Sequence, residues 1–415
     1  MTVRGPLAVT VDVGSAKVCA LAGEPGANGM LRILGAGVVP SEGVSRGTVE
    51  NIQECASAIR EALARAERAA GIRIDRVHLA ISGAHLQSMN SRGVVAVPDR
   101  AHPISAEDVA RVVEQAREVS IPTNRLVLHA LPRHFVVDGQ DNVTDPVGMY
   151  GQRLDVEAHV VTASLSAVQN LGKCVEEAGA RVMGLVAAPL ASAEAVLEDE
   201  ERKQGVVVAD IGSGTTEVAV FMDGSVVHTA VLPIGGYHLT RDLVVGLRTP
   251  FRAAEEAKSG YGHAVATGVA QNEVVELEAF GAERQRRVAR RRLCEILQAR
   301  CEELLEMVYG EATRAGCKDV LSAGLVLTGG TARLAGLPDL AERHLGVPAR
   351  VGVPLGIYGL IDDISGPGYA TGVGLLRWAL ASAEAAPAAA RSHSNLPFSN
   401  WLRRLGGVAR AMLPE

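Results

Sequence analysis

The sequence predicts an α/β fold of two related lobes, each built around a βαβ core. The first observation is a strand-and-turn signal that occurs twice, over residues 9–22 and again over residues 206–221. Each copy has an apolar run, an aspartate, a turn rich in glycine and hydroxyl residues, and a second apolar run, which is typical of a β-hairpin. The second observation is a buried-strand pattern at 324–328 that ends in Gly329-Gly330. Two copies of one signal imply two related halves.

The two hairpin turns are candidate phosphate-binding loops. If the halves face each other, backbone N–H groups at both turns can hold the phosphates of one nucleotide, and Asp12 and Asp210 can hold a hydrated magnesium ion between them. The other loop residues are Gly14, Ser15, Ala16 and Lys17 in the first copy and Gly212, Ser213, Gly214, Thr215 and Thr216 in the second.

A third candidate element contacts the base and ribose. The double glycine lets backbone pass close to a flat ring, so the residues predicted there are Gly329, Gly330, Thr331 and Ala332. Glu255 and Lys258 are three apart on a predicted helix and share one face, where they can hold ribose and base. Taken alone, such a pair is usually a solvated helix contact. Gly235 and Gly236 complete the predicted nucleotide site.

These elements, in this order, resemble the superfamily of actin, Hsp70 and the sugar kinases. The helices that connect the lobes in that superfamily resemble residues 187–195 and 368–376, whose small residues fit helices that cross at close range. Within the superfamily the chain resembles the FtsA family of bacterial cell-division proteins over nearly its whole length, most specifically at 129–140, 146–154 and 246–250. The resemblance implies a two-lobed actin-like ATPase fold that binds ATP and Mg²⁺, with a family-specific inserted subdomain and a C-terminal amphipathic helix.

The predicted domain organisation follows this resemblance. We expect first-lobe core at 1–83, 164–200 and 355–380, the inserted subdomain at 84–163, second-lobe core at 201–235 and 318–354, a peripheral subdomain at 236–317, a linker at 381–394 and the amphipathic helix at 395–415. Periodicity places strands at 31–39, 76–82, 126–131 and 157–162, helices at 49–70, 106–119 and 166–178, and a charged exposed turn at 198–203. The resemblance implies that the inserted subdomain binds late division proteins and neighbouring subunits of a filament.

Composition excludes several classes of protein. The chain has 415 residues, of which 47% are hydrophobic and 21% charged, enough for two to four domains with sizeable cores. A net charge of −6 argues against a nucleic-acid-binding protein. The six cysteines lack close metal-ligand spacing, so reduced core residues are expected. We find no signal peptide and no apolar run that would span a bilayer, and therefore expect a cytoplasmic protein.

A cluster of arginines precedes a long amphipathic helix in the peripheral subdomain. It consists of Arg284, Arg286, Arg287, Arg290, Arg291 and Arg292. Such a run is most often a solvated face. The resemblance implies a partner instead, the acidic and apolar tail of the tubulin-like protein FtsZ, because arginine forks hold carboxylates and an apolar ridge holds apolar anchors. The predicted partner-binding residues are Arg286, Arg290 and Arg300, with Glu303 orienting Arg300.

The C-terminus predicts membrane attachment. After the linker, apolar residues recur at helical spacing with arginines on the other side, a pattern typical of a helix that lies on an anionic membrane surface. The residues are Phe398, Trp401, Leu402, Arg403, Arg404, Leu405, Val408 and Met412. The alternative, a helix that folds back on its own domain, is disfavoured by the linker. A single such anchor is weak, so we expect a polymer of subunits to present several copies at the cytoplasmic face of the membrane, at the division site.

The first connecting segment predicts slow ATP hydrolysis. Related ATPases have a glutamate or glutamine at the position that resembles Ala188 of this chain. Alanine cannot position a water molecule for attack on the phosphate. Glu194 is a possible surrogate, but it lies further along the helix. A pilus-assembly protein of the PilM type would share the fold without the C-terminal helix. A sugar kinase would need a further catalytic aspartate, and a chaperone would need a substrate domain.

Overall fold

The first lobe begins with an antiparallel meander, a short hairpin, a long helix and a return strand. The structure, a computed structural model, describes residues 6–97, 102–118, 121–280, 285–317, 320–360 and 364–385. The first elements are β1 Ala8–Val13, β2 Lys17–Pro25, β3 Leu31–Pro40, β4 Val44–Ser45, β5 Thr48–Val49, α1 Ile52–Ala70 and β6 Arg76–Ile81. β1 pairs antiparallel with β2 and parallel with β6, so α1 crosses between parallel strands as a βαβ core requires.

Helix α1 begins three residues later than periodicity predicts. Asn51 fixes this start because its side-chain oxygen accepts hydrogen bonds from the backbone N–H groups of Gln53 and Glu54. The helix ends at Gly71, which adopts a left-handed conformation with φ of 65°.

The inserted subdomain is a four-stranded sheet with one helix. Its elements are β7 Gln87–Ala96, α2 Ala106–Arg117, β8 Arg125–Val137, β9 Gln140–Val143 and β10 Arg153–Ser164. The strand order is β7-β10-β8-β9, and α2 packs on one face of the sheet around Val112, Leu154 and Val156. On the other face of the sheet, side chains of β7 and β10 form hydrogen bonds with the second lobe.

The strand predicted at 126–131 is wrong at its end. We took Pro132 as a boundary, whereas β8 continues through it to Val137. The pairing of β10 with β8 steps from Glu157–His134 to Ala158–Pro132, which leaves Arg133 as an extra residue on β8. A bulge of this kind accommodates proline within a sheet, because the N–H that proline lacks is not needed there.

The chain then returns to the first lobe through α3 Leu165–Glu177, β11 Arg181–Ala187, α4 Ala188–Val196 and α5 Asp199–Gln204. The turn predicted at 198–203 is wrong in its conformation, because Asp199–Gln204 form helix α5, although no residue of that helix is buried. The backbone N–H of Glu198 donates to the Glu201 side chain at 2.9 Å, which caps the helix. Arg202 is not freely exposed, since its guanidinium lies 5.2 Å from the centre of the Phe221 ring.

The second lobe repeats the topology of the first. Its elements are β12 Val206–Ile211, β13 Thr216–Met222, β14 Ser225–Leu232, α6 Gly236–Leu247, α7 Phe251–Tyr261, β15 Val274–Glu278, β16 Gln285–Ala289, α8 Arg290–Arg314, β17 Gly324–Thr328, α9 Leu337–Leu345 and β18 Ala349–Val351. The sheet order is β14-β13-β12-β17-β18, which matches β3-β2-β1-β6-β11 in the first lobe strand for strand. The predicted duplication is confirmed.

The last described elements close the first lobe. β19 Ile357–Gly359 pairs with β3, and α10 Ala370–Ala385 packs against α4. A Cβ atom at Gly374 of α10 would lie 1.7 Å from the carbonyl oxygen of Ala191 in α4, so the two helices cross at backbone contact, as their small residues predict. α10 also runs to Ala385, five residues into the predicted linker, because residues 381–385 are mostly helix-favouring alanine.

Several chain-wide expectations have structural outcomes. All six cysteines are free and buried. Among the described residues no helix combines the length and apolarity needed to cross a bilayer. The rest of the predicted linker and the helix at 395–415 lie outside the described residues, so the membrane residues Phe398 to Met412 stay predictions.

Candidate functional site

A cleft between the two lobes encloses a cavity of about 670 Å³. Its walls come from both hairpin turns, from the loop after β17 and from α7. Of the residues predicted to bind nucleotide, those that line it are Asp12, Gly14, Ser15, Ala16, Lys17, Asp210, Gly212, Ser213, Gly214, Thr215, Gly236, Glu255, Lys258, Gly329, Gly330 and Thr331. Four segments that are distant in sequence therefore meet at one cavity.

Three predicted residues lie behind the cavity wall. Thr216 is buried and its hydroxyl donates to the carbonyl of Ile234 at 2.7 Å. Ala332 is buried in the second-lobe core. Gly235 packs on the second turn, where a Cβ would lie 2.7 Å from the carbonyl oxygen of Gly212. These residues shape the loops rather than face the cavity.

The two turns have the same local geometry. The N–H of Gly14 donates to the carbonyl of Lys17 at 3.0 Å, and the N–H of Gly212 donates to that of Thr215 at 2.9 Å. The turns also touch across the cleft: a Cβ at Gly214 would lie 2.9 Å from the Ser15 hydroxyl oxygen and 3.1 Å from Cα of Arg46. Only glycine lets the second loop approach the first this closely.

The paired aspartates are poised for a cation. Burial, and then the neighbouring Asp210, raise the pKa of Asp12 to about 7, against the opposing effect of Lys17. Burial also raises the pKa of Asp210, although hydrogen bonds from Ser192 and Thr371 oppose it. The Thr371 hydroxyl donates to Asp210 Oδ2 at 2.8 Å. Two carboxylates enclosed together disfavour ionisation unless a positive charge joins them.

These aspartates fit a magnesium ion better than a metal held by protein alone. No group of three or more histidine, cysteine or acidic side chains converges on one point within the part of the chain that the structure describes. Mg²⁺ usually binds through one or two carboxylates, with water and phosphate oxygens as its other ligands. Asp12 and Asp210 match that pattern.

Lys17 supplies the positive charge of the first loop. Its ammonium nitrogen lies 3.4 Å from the centre of the Tyr369 ring, a cation–π contact that holds it beside the cavity. Burial lowers the pKa of Lys17, although nearby acidic groups, including Asp12 and Asp210, oppose this shift.

Glu255 and Lys258 interact as their spacing on one helix face predicts. Lys258 Nζ donates to Glu255 Oε2 at 2.7 Å, to the Thr240 hydroxyl at 2.8 Å and to the carbonyl of Gly236 at 3.1 Å. Thr240 in turn donates to Glu255. The pair lines the cavity beside Ser259 and Gly260.

Of the two residues considered for water positioning, Ala188 lines the cavity, whereas Glu194 lies away from it and pairs with Arg202 at 2.9 Å.

The structure adds an acidic residue that sequence reasoning missed. Glu217 does line the cavity, and its Oε1 accepts hydrogen bonds from Thr215 Oγ1 at 2.8 Å and from Ser82 of the first lobe. Burial, and then Asp210, raise the pKa of Glu217 to about 8. Its signal was available: Glu217 stands directly opposite Asp210 in the hairpin.

The predicted arginines lie on two consecutive elements. Arg286 and Arg287 belong to strand β16, directly before the long helix, and Arg290 to Arg292 form the first turn of α8. Arg284 lies outside the described residues. Arg290 lines the same cavity, donating to the carbonyl of Tyr261 at 2.8 Å and to Glu273 at 2.6 Å.

Arg300 lies far from Arg290. Ten residues separate them on α8, which corresponds to about 15 Å along a helix axis. Arg300 binds Asp242 of α6 through two nitrogens, at 2.6 and 3.2 Å, and also donates to Glu303. The predicted contact between Glu303 and Arg300 is therefore present, as part of a network with Asp242.

Comparison with known proteins gives consistent results. A sequence model of "Cell division protein FtsA" matches residues 207–374, and one of "SHS2 domain inserted in FTSA" matches residues 83–162. FtsA of Pseudomonas aeruginosa is 41% identical over 376 residues, covering 91% of this chain and 90% of that protein. FtsA of Escherichia coli K12 is 35% identical over 411 residues, covering 97% of each chain.

Solved structures show the same fold at low sequence identity. A structure titled "PilM-PilN type IV pilus biogenesis complex" has a TM-score of 0.63 at 18% identity, covering 90% of this chain and 98% of that one. MreB5 of Spiroplasma citri bound to ADP has a TM-score of 0.55 at 12% identity, covering 92% and 99%. The two-lobed actin-like fold predicted from the sequence is confirmed.

Proposed function

Because the chain belongs to the FtsA family of cell-division proteins, we propose that it is an ATP-binding protein that polymerises on the inner face of the cell membrane and anchors FtsZ filaments there. The observation that carries the nucleotide part is the cleft, where the two matching turns and their aspartates face one cavity. A structural neighbour solved with ADP supports nucleotide binding at this fold.

The cleft residues divide the work of holding the nucleotide. The glycine-rich turns present backbone N–H groups and Lys17 to the phosphates, and Glu255 with Lys258 meets the ribose. The double glycine after β17 gives the base a flat wall. Mg²⁺, held through water by Asp12 and Asp210, would neutralise phosphate charge.

Hydrolysis is slow in this proposal. The side chain of Ala188 has no polar atom with which to hold water, and Glu194 is engaged with Arg202 away from the cavity. The nucleotide then serves mainly as a ligand that holds the lobes together.

The FtsZ tail binds, in this proposal, at the peripheral subdomain. Arg300 with Glu303, and Arg286 on β16, are the residues that remain on its surface, whereas Arg290 is partly committed to the nucleotide cavity. The Arg286 guanidinium is exposed and can receive a carboxylate of an acidic tail, whereas Arg300 has to exchange its bonds to Asp242 or Glu303 for one.

Membrane attachment rests on the C-terminal residues Phe398, Trp401, Leu402, Arg403, Arg404, Leu405, Val408 and Met412. Their apolar and basic sides suit an anionic surface at the division site. The PilM alternative is weaker, since the PilM–PilN structure shares 18% identity with this chain and the FtsA proteins share 35–41%.

The membrane and FtsZ parts are tested by co-sedimentation with vesicles that contain anionic lipid. The full chain is compared with a chain that ends at Ser394, each with ATP and a synthetic FtsZ tail peptide. We expect only the full chain to pellet and to bring the peptide down. If both chains stay in solution without peptide, the adaptor function is wrong and the PilM alternative gains.

The nucleotide site is tested by one conservative substitution. Asp210→Asn removes the charge but keeps the size, so we expect Mg²⁺-dependent affinity for a fluorescent ATP analogue to fall at least tenfold, because a metal ligand is lost. Glu194→Gln makes the same chemical change outside the cleft and is expected to alter the affinity less than twofold. Equal affinities for both variants would contradict the metal role of Asp210.

A further inference from the structure

The inserted sheet contacts the second lobe along β14. This strand is the edge of its sheet, so its outer backbone groups have no neighbouring strand to bind. Side chains of β7 bind them instead. The Ser88 hydroxyl donates to the carbonyl of Thr229 at 2.8 Å and accepts from its N–H at 3.3 Å, and Asn90 Nδ2 donates to the carbonyl of Val227 at 3.3 Å.

A buried histidine completes this contact. His159 of β10 is 1% exposed, with Nδ1 2.8 Å from Asn90 Oδ1 and Nε2 3.1 Å from Thr229 Oγ1. We call the set of Ser88, Asn90, His159 and Thr229 the clasp. A further hydrogen bond joins β8 to the same strand, from the Ser225 hydroxyl to the carbonyl of Arg133 at 3.1 Å.

The clasp connects the two lobes because the insert is anchored in the first. Leu126 and Val161 of the insert belong to a buried apolar cluster that is built mainly from first-lobe residues. His129 of β8 accepts a hydrogen bond from the N–H of Ala187, directly before α4, at 3.0 Å, and its ring packs on Trp378 of α10 at 5.0 Å between centroids. The insert therefore contacts the first lobe near the crossing of α4 and α10 and contacts the second lobe at β14.

Polar contacts make this link releasable. Its ties include side-chain hydrogen bonds, and a net contribution of one such bond typically changes an equilibrium constant several-fold to about tenfold. Apolar packing accompanies them, because Val226 of β14 shares a buried cluster with Leu126 and Val161. Cleft opening moves the lobes apart, as in other two-lobed nucleotide-binding proteins. An opening that moves β14 away from β7 has to loosen the clasp.

We propose that the clasp restrains opening of the cleft and so slows release of bound nucleotide. The inference rests on the proposed nucleotide binding. It makes the insert a control point for nucleotide exchange: whatever pulls β7 from β14 speeds release, although the clasp residues themselves do not line the cavity. If the clasp only capped the edge of β14, its loss would lower stability without changing release.

The test measures dissociation of a fluorescent ATP analogue from the full chain with Mg²⁺, chased with excess ATP. Ser88→Ala combined with Asn90→Ala is expected to raise the dissociation rate about three- to tenfold. Ser91→Ala is the matched control, because Ser91 directly follows Asn90 on the same strand and its side chain lies on the opposite face of the sheet. Its rate should stay within twofold of wild type. If the double variant releases the ATP analogue at the wild-type rate, the proposal is wrong, whether or not the melting temperature falls.

A crosslink gives the opposite perturbation in case the double variant fails to fold. Ser88→Cys combined with Thr229→Cys places two thiols across the clasp, and oxidation by diamide joins them as a disulfide while diamide is reduced to the hydrazine. Oxidised protein should release nucleotide at least threefold more slowly, and dithiothreitol should restore the rate. Equal rates before and after oxidation would overturn the proposal. Absence of any binding to wild type would contradict the nucleotide function itself, which separates the two failures.

Discussion

At the scale of single residues, Glu217 is an acidic side chain held where its charge is unfavourable. Burial raises its pKa to about 8, while the same group in an unfolded chain titrates near 4.5. Between these two values the unfolded state is ionised and the folded state keeps its proton, so the contribution of Glu217 to stability falls as pH rises from about 4.5 to 8.

The substitution Glu217→Gln is predicted to stabilise the metal-free protein. The amide oxygen still accepts hydrogen bonds from Thr215 and Ser82 but carries no charge to bury. In EDTA at pH 8 we expect the free energy of unfolding in urea to rise by roughly 1–3 kcal/mol, with a smaller gain at pH 5. A gain that is the same at both pH values, or a loss at pH 8, would contradict the proposed ionisation.

The site residues that sequence predicts are those that repeat. Asp12 and Asp210 were found because two distant segments share one pattern, and the loops meet as that pattern implies. Ser82 and Gly47 were missed because each comes from an element with no phosphate signal of its own, whereas Glu217 lies inside the second hairpin signal and was overlooked there. The roles of Ser82 and Gly47 depend on which strands become neighbours, information that no local window of sequence contains.

At the scale of elements, glycine decides how closely two segments can pack. Gly374 of α10 lies against the backbone of α4, where an added Cβ would meet the Ala191 carbonyl oxygen at 1.7 Å. Gly310 of α8 is also helical, but nothing lies within 4 Å of such a Cβ. Comparing alanine substitutions at Gly374 and Gly310 therefore separates the effect of helix propensity from the effect of packing.

Gly374→Ala is predicted to destabilise the protein by about 3 kcal/mol or more, because α10 has to move off α4. Gly310→Ala is predicted to be neutral or stabilising by up to about 1 kcal/mol, because alanine favours helix. Urea unfolding measures both. If the two substitutions change the free energy of unfolding by amounts within about 0.5 kcal/mol of each other, α4 and α10 are not in backbone contact.

Element boundaries were predicted least well where tertiary structure overrides local signals. Pro132 ends a strand in isolation, yet β8 passes through it because the neighbouring β10 tolerates a bulge there. The charged residues after α4 suggest a solvated turn, yet they form α5 with Arg202 over Phe221. At Pro132 the deciding partner is on another element, whereas α5 combines a local cap at Glu198 with the contact to Phe221.

At the scale of the whole molecule, two buried histidines make the stability of the folded protein depend on pH. Burial lowers the pKa of His129 to about 4, and burial is also the main reason that the pKa of His159 falls to about 3. An unfolded histidine titrates near 6.5. Below that pH the unfolded state binds more protons, so stability is lost as pH falls from about 6.5 towards the folded values.

We predict that lowering the pH from 7.5 to 5.5 reduces the free energy of unfolding by about 1 kcal/mol for each of these histidines. His159→Gln should retain hydrogen-bonding groups near Asn90 and Thr229 and should reduce the loss by about 1 kcal/mol. Urea unfolding at the two pH values measures the difference. An equal loss in wild type and His159→Gln would rule out a contribution from this histidine.

The order of the chain through the two lobes has a consequence for synthesis on the ribosome. The second-lobe sheet is continuous in sequence, from β12 to β18, whereas the first-lobe sheet receives its last strand, β19, only after that stretch and is then covered by α10. Domains fold as units while the polypeptide emerges. We therefore expect the second lobe to fold first, although the first lobe is translated first, and the unfinished first lobe to depend on protection by chaperones until α10 appears.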